Sequence, residues 1–290
     1  MKKANKMGTY EQIIHVTKYA RYLEEKKRRE SWEETITRFM DYMSVKVDLD
    51  GKYKELHKAL LNQEIVPSMR LLMTAGEACE RDNIAAFNCA YTSISSKRVF
   101  SEILYILMNG TGIGFSNERK KIDLLPPVPR ELSWSDDVIV VADSKKGWAV
   151  AFRKLMSSLW EGDIPNVDYS KIRPAGARLK TFGGRASGPL PLQNLFTFVT
   201  ETFKGAKGRK LNSLEVHDII CMIGDIVVVG GVRRSALIGL SNLTDHRMRD
   251  AKTGQWYLPV QDGGNPHRML ANNSVCYTEQ PDAKTFLEEW

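Results

Sequence analysis

Residues 99–116, VFSEILYILMNGTGIGFS, decide the fold. Apolar side chains at Val99, Phe100, Ile103, Leu104 and Leu107 recur at helical spacing, so the periodicity predicts one amphipathic helix over 99–108. The helix runs straight into Asn109-Gly-Thr-Gly-Ile-Gly-Phe-Ser116, which reads as a tight helix-to-strand turn. Glycines here also let a backbone approach an anion and offer it N–H groups. The dinucleotide fingerprint is excluded: these glycines follow a helix rather than opening one, their third spacing is wrong, and no acidic residue ends a strand about 20 residues later.

Working outward, a short strand is expected upstream at Ala86–Ser93 and a buried-type strand downstream at Val138–Ala142. A helix carrying Trp148, Phe152, Leu155, Met156 and Leu159 follows, then a helix near Leu190–Phe203, and a further helix and strand around Val229–Ser235. Strands alternating with helices argue for an α/β architecture built on parallel strands. Residues 1 to about 63 read as helical instead. Ser31 and Glu34 form a capping box, after which Trp32, Ile36, Phe39, Met40 and Met43 fall on one face. Pro67 and Gly76 then change the character of the chain, which places a boundary near residue 63.

At 290 residues, 42% hydrophobic and 27% charged, the composition is that of globular material, which excludes a disordered chain. Four cysteines (Cys79, Cys89, Cys221, Cys276) without a CxxC pair give neither a disulfide framework nor a zinc knuckle. A reducing, cytoplasmic setting is expected. The start has no apolar signal-peptide stretch and no run long enough to cross a membrane occurs. The five histidines have no ligand spacing, so no metal site is expected. The net charge of +7 suits a polyanionic partner, nucleic acid or nucleotide polyphosphate. The densest run, EEKKRRE at 24–30, reads as a solvated helix surface because acids flank and interrupt it.

Two further segments combine glycine with cations. KTFGGRASG at 180–188 and GGVRRS at 230–235 each offer a pliant backbone and guanidinium or ammonium groups suited to phosphate. Two such loops in one domain are hard to explain as packing, and point to anion binding by Lys180, Arg185, Arg233 and Arg234. Cys89, within an apolar strand, reads on its own as a buried structural thiol.

Taken together and in order, PSMRLLMTAG (67–76), FNCAY (87–91), ILMNGTGIGFS (106–116), KIRPAGARLKTFGGRASGPLPL (171–192), VVGGVRRSAL (228–237) and LANNSV (270–275) resemble the first half of ribonucleotide reductase catalytic chains. The stretch YARYLEEKKRRESWEET (19–35) resembles the start of the monomeric, adenosylcobalamin-dependent (class II) ribonucleoside-triphosphate reductases. The resemblance implies the first half of a ten-stranded α/β barrel over 64–290, preceded by the helical region 1–63, with an effector-site insertion at about 120–170. It implies that Cys89 is a reducing cysteine, which reverses the structural reading of that residue. Ser68 and Gly112 would lie near the substrate, and the loops carrying Lys180, Arg185, Arg233 and Arg234 would bind a dNTP specificity effector. A ribonucleoside triphosphate substrate, adenosylcobalamin and a thioredoxin-type reductant are implied, with no direct nucleic-acid contact.

The insertion is shorter than in the monomeric relatives, and no block resembling an ATP-cone is present. The radical cysteine and most cobalamin contacts would lie beyond Trp290, where FLEEW breaks off within a helical pattern, so turnover is expected to need a C-terminal half polypeptide. The alternative expectation is a non-catalytic nucleotide-binding fragment that retains the dNTP effector site.

Overall fold

The computed structural model describes residues 7–177, 185–229, 232–233 and 236–289. The chain divides into two compact units, Met1–Asn88 and Cys89–Trp290.

The first unit is mainly helical. Its main helix, Trp32–Lys46, starts as the sequence indicates: the Ser31 side chain accepts from the Glu34 N–H, and the Glu34 carboxylate accepts from the Ser31 N–H at 2.7 Å. Ile36, Phe39 and Met40 on this helix bury against Leu60, Leu72 and Ala75. The run EEKKRRE is not helical. Tyr22–Leu23 and Arg28–Arg29 pair antiparallel, and the charges between them form a turn that Lys27 completes at φ +50°. The run therefore closes a hairpin, and its last acid turns inward. Glu30 is buried, where its carboxylate accepts from Arg38 Nε at 2.7 Å, from Thr35 Oγ1 and from the Arg21 N–H. Burial alone would raise the pKa of Glu30, but these donors together hold it below its ordinary value. Residues 64–88 lie in this unit as well.

The second unit is built on four parallel strands: β1 (Cys89–Ser93), β2 (Gly112–Ser116), β5 (Leu237–Asn242) and β6 (Ala271–Cys276). Their order across the sheet is β1, β2, β5, β6. Helix α1 (Val99–Met108) joins β1 to β2 as a compact βαβ unit, and Gly110 turns the chain between helix and strand at φ +77°. A second βαβ unit follows: β3 (Ser133–Val140), α2 (Lys145–Glu161) and β4 (Asp163–Asp168), with β3 and β4 parallel. Helices α3 (Leu190–Gly205) and α4 (Ser213–Ile226) precede β5.

Two boundaries differ from the sequence reading. The first strand begins at Cys89, since Asn83–Ala86 closes a 3₁₀ turn, and the strand expected at 138–142 runs over Ser133–Val140. The first shift arises because Ala86 is taken into that turn, the second because the polar residues Ser135, Asp136 and Asp137 occupy strand positions that an apolar-run criterion passes over.

Side chains alternate across the sheet. One face carries Ile113, Phe115 and Leu237, which bury against Phe100, Ile103, Leu104 and Leu107 of α1 and Val216, Ile219, Ile220 and Ile223 of α4. The register places Cys89, Tyr91, Gly112, Gly114, Ile238 and Asn272 on the opposite face. Within this unit that face is open: Tyr91 is 62% and Ile238 38% exposed. Parallel sheets are ordinarily covered on both sides. The described strands of this unit thus form an open four-stranded sheet with one covered face, a separate parallel pair, and a short antiparallel pair of Val228–Val229 with Val232–Arg233.

Candidate functional site

Cys89 is the first residue of β1, and its Cα partner across the ladder is Gly112. It is the exposed cysteine of the chain, on the open face of the sheet, whereas Cys79 and Cys221 are buried and Cys276 is intermediate. The expectation of a buried structural thiol inside the strand is corrected by this placement. The strand starts at residue 89 and its odd-numbered positions point away from the helices. No side chain stands beside Cys89 at the neighbouring position of β2, because that position is Gly112. A small molecule on the open face thus has access both to the thiol and to bare backbone.

Immediately before this strand pair, Asn109 caps α1 and is 1% exposed. Its Oδ1 accepts from Lys145 Nζ at 2.8 Å, and its Nδ2 donates to the Tyr105 carbonyl at 3.0 Å. Two rows along the open face, Tyr91 and Ile238 lean over Gly114. A Cβ at residue 114 would lie 3.2 Å from Ile238 Cγ2 and 3.6 Å from Tyr91 Cδ2.

The other expected site residues are distributed. Ser68 is exposed at the N-terminus of the helix Met69–Thr74, in the first unit. Arg185 is exposed, and its Nη1 donates to the Gly176 carbonyl at 3.0 Å. That contact, with Gly176 N–H to Ala186 O and Ala186 N–H to Ala177 O, ties the two stems of the 174–188 loop together. The backbone of Arg233 belongs to Val232–Arg233, which pairs antiparallel with Val228–Val229. Lys180 and Arg234 lie outside the described residues.

Beneath the covered face sits a polar cluster that the sequence reading missed. His217 on α4 is fully buried, with Nε2 3.0 Å from Asn273 Oδ1 on β6. Its neighbour Asp218 accepts two bonds from Arg268, Nε to Oδ1 at 2.7 Å and Nη2 to Oδ2 at 2.6 Å. Arg268 also donates to the Ala251 carbonyl at 2.8 Å. Burial would raise the Asp218 pKa, but Arg268, His217 and His267 outweigh it and hold the carboxyl far below its ordinary range. Burial and the Asp218 charge together push the Cys221 thiol up, which keeps it protonated and inert. Gly239 makes room for this cluster, since a Cβ there would lie 3.2 Å from His217 Cδ2 and from Phe115 Cζ. The partners are up to 56 residues apart in sequence, so no motif spacing reveals them. The available signal was a His-Asp pair set in the apolar run of α4.

Among the described residues no group of three or more His, Cys, Asp or Glu side chains could hold a metal ion. Among the same residues no helix is long and apolar enough to cross a membrane. A shallow groove between the Tyr22–Arg29 hairpin and the Trp32–Lys46 helix, lined by Glu24, Lys26, Glu34 and Arg38, contains none of the expected site residues.

Comparison with known proteins gives this geometry a context. Residues 131–203 match the family model described as the insertion domain of B12-dependent ribonucleotide reductase. Similar curated proteins include the adenosylcobalamin-dependent ribonucleoside-triphosphate reductase of Lactobacillus delbrueckii subsp. bulgaricus, 28% identical over 333 aligned positions, covering 91% of this chain and 44% of the relative. The protein of that name from Lacticaseibacillus paracasei is 27% identical, covering 93% of this chain and 45% of its own length. Among solved structures, a B12-dependent (class II) ribonucleotide reductase superposes with a TM-score of 0.77 over 91% of this chain and 45% of that chain, at 24% identity, and shares the fold. The chain spans less than half the length of these proteins. The matched insertion domain begins just before β3 and extends through most of α3, and so contains the whole second βαβ unit. Insertion domain, curated relatives and shared fold agree that this chain is related to the B12-dependent ribonucleotide reductases.

Proposed function

We propose that this chain is the N-terminal part of a ribonucleotide reductase acting on ribonucleoside triphosphates, and that Cys89 supplies one of the two thiols that reduce the ribose. The observation that carries this reading is the placement of an exposed thiol in register with Gly112 on the open face of a parallel sheet. That face would line the interior of a ten-stranded barrel whose remaining strands come from polypeptide outside residues 1–290.

The chemistry balances with two thiols. The 2′-hydroxyl leaves as water, a hydrogen takes its place, and two thiols become one disulfide. Cys89 is one of them. Cys221 is buried on the opposite face. Cys276 ends β6, three strands from β1, at roughly 4.8 Å per strand, and is thus too far to pair with Cys89. The second thiol of the unit's reaction is therefore expected outside the described part of the sheet.

Adenosylcobalamin, named for the relatives, would supply the radical chemistry of the assembled enzyme. The described residues do not form a site for it. The core histidines His217 and His267 are buried and face Asn273 and Asp218, so no residue here is assigned to the cofactor and no step is routed through it. What the chain itself contributes is Cys89, bare backbone at Gly112 and Ser68 as a substrate contact. The glycine-and-arginine loops with Lys180, Arg185, Arg233 and Arg234 would bind a dNTP effector. A thioredoxin-type dithiol would regenerate Cys89 after each turnover.

The test is reconstitution. The chain is mixed with the C-terminal polypeptide of a relative, adenosylcobalamin, a dithiol and a ribonucleoside triphosphate, and dNTP is measured chromatographically. The expected result is dNTP formation by the wild type and none by Cys89→Ser at equal assembly. Undiminished turnover by Cys89→Ser, or assembly without any dNTP, would remove the assignment.

A further inference from the structure

We propose that Arg21 and Arg38, joined through the buried Glu30, clamp the C-terminal end of the helix Met69–Thr74 and so fix where Ser68 stands at its other end, which makes the hairpin that Arg21 and Glu30 flank a positioning element for the substrate. The proposal rests on reading Ser68 as a substrate contact, and adds what holds it in place. All of these residues lie in the first unit. A helix ends in carbonyls that no later turn can bond. Here the Ala75 N–H donates to the Leu71 carbonyl, and two guanidiniums take the next four. Arg21 donates from Nε to the Met73 carbonyl at 3.2 Å and from Nη2 to the Thr74 carbonyl at 2.8 Å. Arg38 donates from Nη1 to the Ala75 carbonyl at 2.9 Å and from Nη2 to the Leu72 carbonyl at 3.0 Å. Both charges also stand at the negative end of the helix dipole. Glu30 ties the two together: its carboxylate accepts from Arg38 Nε and Nη2 and from the Arg21 N–H, and its own N–H donates to the Arg21 carbonyl at 2.8 Å. Burial and the neighbouring Arg38 charge pull the Arg21 pKa below its ordinary value, and Glu30 opposes them.

The two ends of this helix differ in a way that suits such a role. Six residues are too few for a helix to sustain itself, so its direction is set by what grips it. Leu72 and Ala75 bury with Ile36 and Phe39 beside the clamp, whereas Ser68 and Met69 at the other end are exposed. Ser68 is the N-cap residue, yet its hydroxyl makes no capping bond to the helix it begins, although serine ordinarily does so at that position. The hydroxyl is thus left to a partner other than its own helix. At 1.5 Å per residue the helix is roughly 9 Å long, so a tilt of about 10° at the clamped end would move Ser68 by roughly 1.5 Å, enough to lose a hydrogen bond.

The test combines the reconstituted enzyme, with a ribonucleoside triphosphate as the varied substrate, and hydrogen exchange of the full chain read by mass spectrometry. Ser68→Ala is expected to raise KM about tenfold, the value of one hydrogen bond to a charged group. Arg21→Lys and Arg38→Lys each keep the charge but lose the fork that spans two carbonyls. Each should speed exchange at the amides of 72–75 by about tenfold, leave exchange at 36–43 unchanged, and raise KM by up to the same factor at unchanged kcat and assembly. Added to Ser68→Ala, either should raise KM by less than about twofold more, because both act through one hydroxyl. A wild-type KM in both lysine variants, or effects that multiply with Ser68→Ala, would overturn the clamp and leave the Ser68 reading standing. Exchange unchanged at 72–75, or accelerated equally at 36–43, would overturn it as well, since the arginines would then not hold this helix end in particular. Ser68→Ala at wild-type KM, or no turnover by the wild type, would overturn the substrate reading and the clamp's role with it.

Discussion

Replacing Arg268 with leucine tests the buried cluster under the sheet most directly. The substitution leaves the Asp218 carboxylate in place and removes the guanidinium bonds of 2.7 and 2.6 Å. Each of the two side chains is only 11% exposed, so water cannot replace the lost donors. Removing one partner of a buried pair costs about 3–5 kcal/mol. In a unit of about 200 residues each kcal/mol moves Tm by roughly 2–4 °C, so the melting transition should fall by roughly 6–20 °C.

The pH dependence should also change sign. In the wild type Asp218 titrates below its ordinary value of 3.8. Its contribution to stability is present above that value and is lost as the pH falls through the folded one. Without Arg268, burial is opposed only by His217 and His267, and it is expected to outweigh them and lift the folded carboxyl above the unfolded one. Protonation then relieves the variant, and its deficit should narrow as the pH is lowered from about 7 to about 4. Urea and thermal unfolding followed by circular dichroism at several pH values measure both effects. The double variant Asp218→Asn with Arg268→Leu should lose less than Arg268→Leu alone. A loss below about 1 kcal/mol for Arg268→Leu at neutral pH, or a deficit that widens in acid, would refute the account of the pair.

Other outcomes follow from the same structure. Alkylation of the native chain, mapped by mass spectrometry, should label Cys89 first and leave Cys221 unlabelled until unfolding, because burial and Asp218 keep that thiol protonated; equal rates at the two would contradict their placement. Gly147→Ala should destabilise by on the order of 1–3 kcal/mol in chemical unfolding, since its Cβ would collide with the Ala142 carbonyl, and a neutral result would show that the start of α2 can shift. Ser31→Ala should cost about 1 kcal/mol through loss of the capping box, with Ser31→Asp near wild type in the same assay.

The sequence made the elements around the glycine turn legible because their signals are local. The α1 stripe at residues 99–107 and the Ser31–Glu34 box each depend on neighbours within one or two turns, and both appear as expected. The open face was less accessible. Whether Cys89 is buried in the middle of a strand or exposed at its start depends on where Asn83–Ala86 stops turning, and no periodicity in a five-residue strand reports that. The family resemblance, not the strand pattern, singled out Cys89. The hairpin at 22–29 escaped because a charge run suits helix and turn equally, and what decides is Glu30 finding Arg38 across the unit. The His217, Asp218, Arg268 and Asn273 cluster is joined only by tertiary packing, and its members carry no spacing from which to recognise it.

Gly114 gives the second strand of the sheet a position with no side chain, and Tyr91 and Ile238 from the strands on either side shelter it. Their cover is thin, given the exposure of both rings and branches. A guest settling on that strip would have to part an aromatic and an aliphatic shutter, and the rotamer freedom each gives up sets a modest toll on entry. Enlarging the residue at 114 would press on both side chains, so a single hydrogen in place of a methyl group is what lets an aromatic and an aliphatic neighbour settle this close to the strand between them.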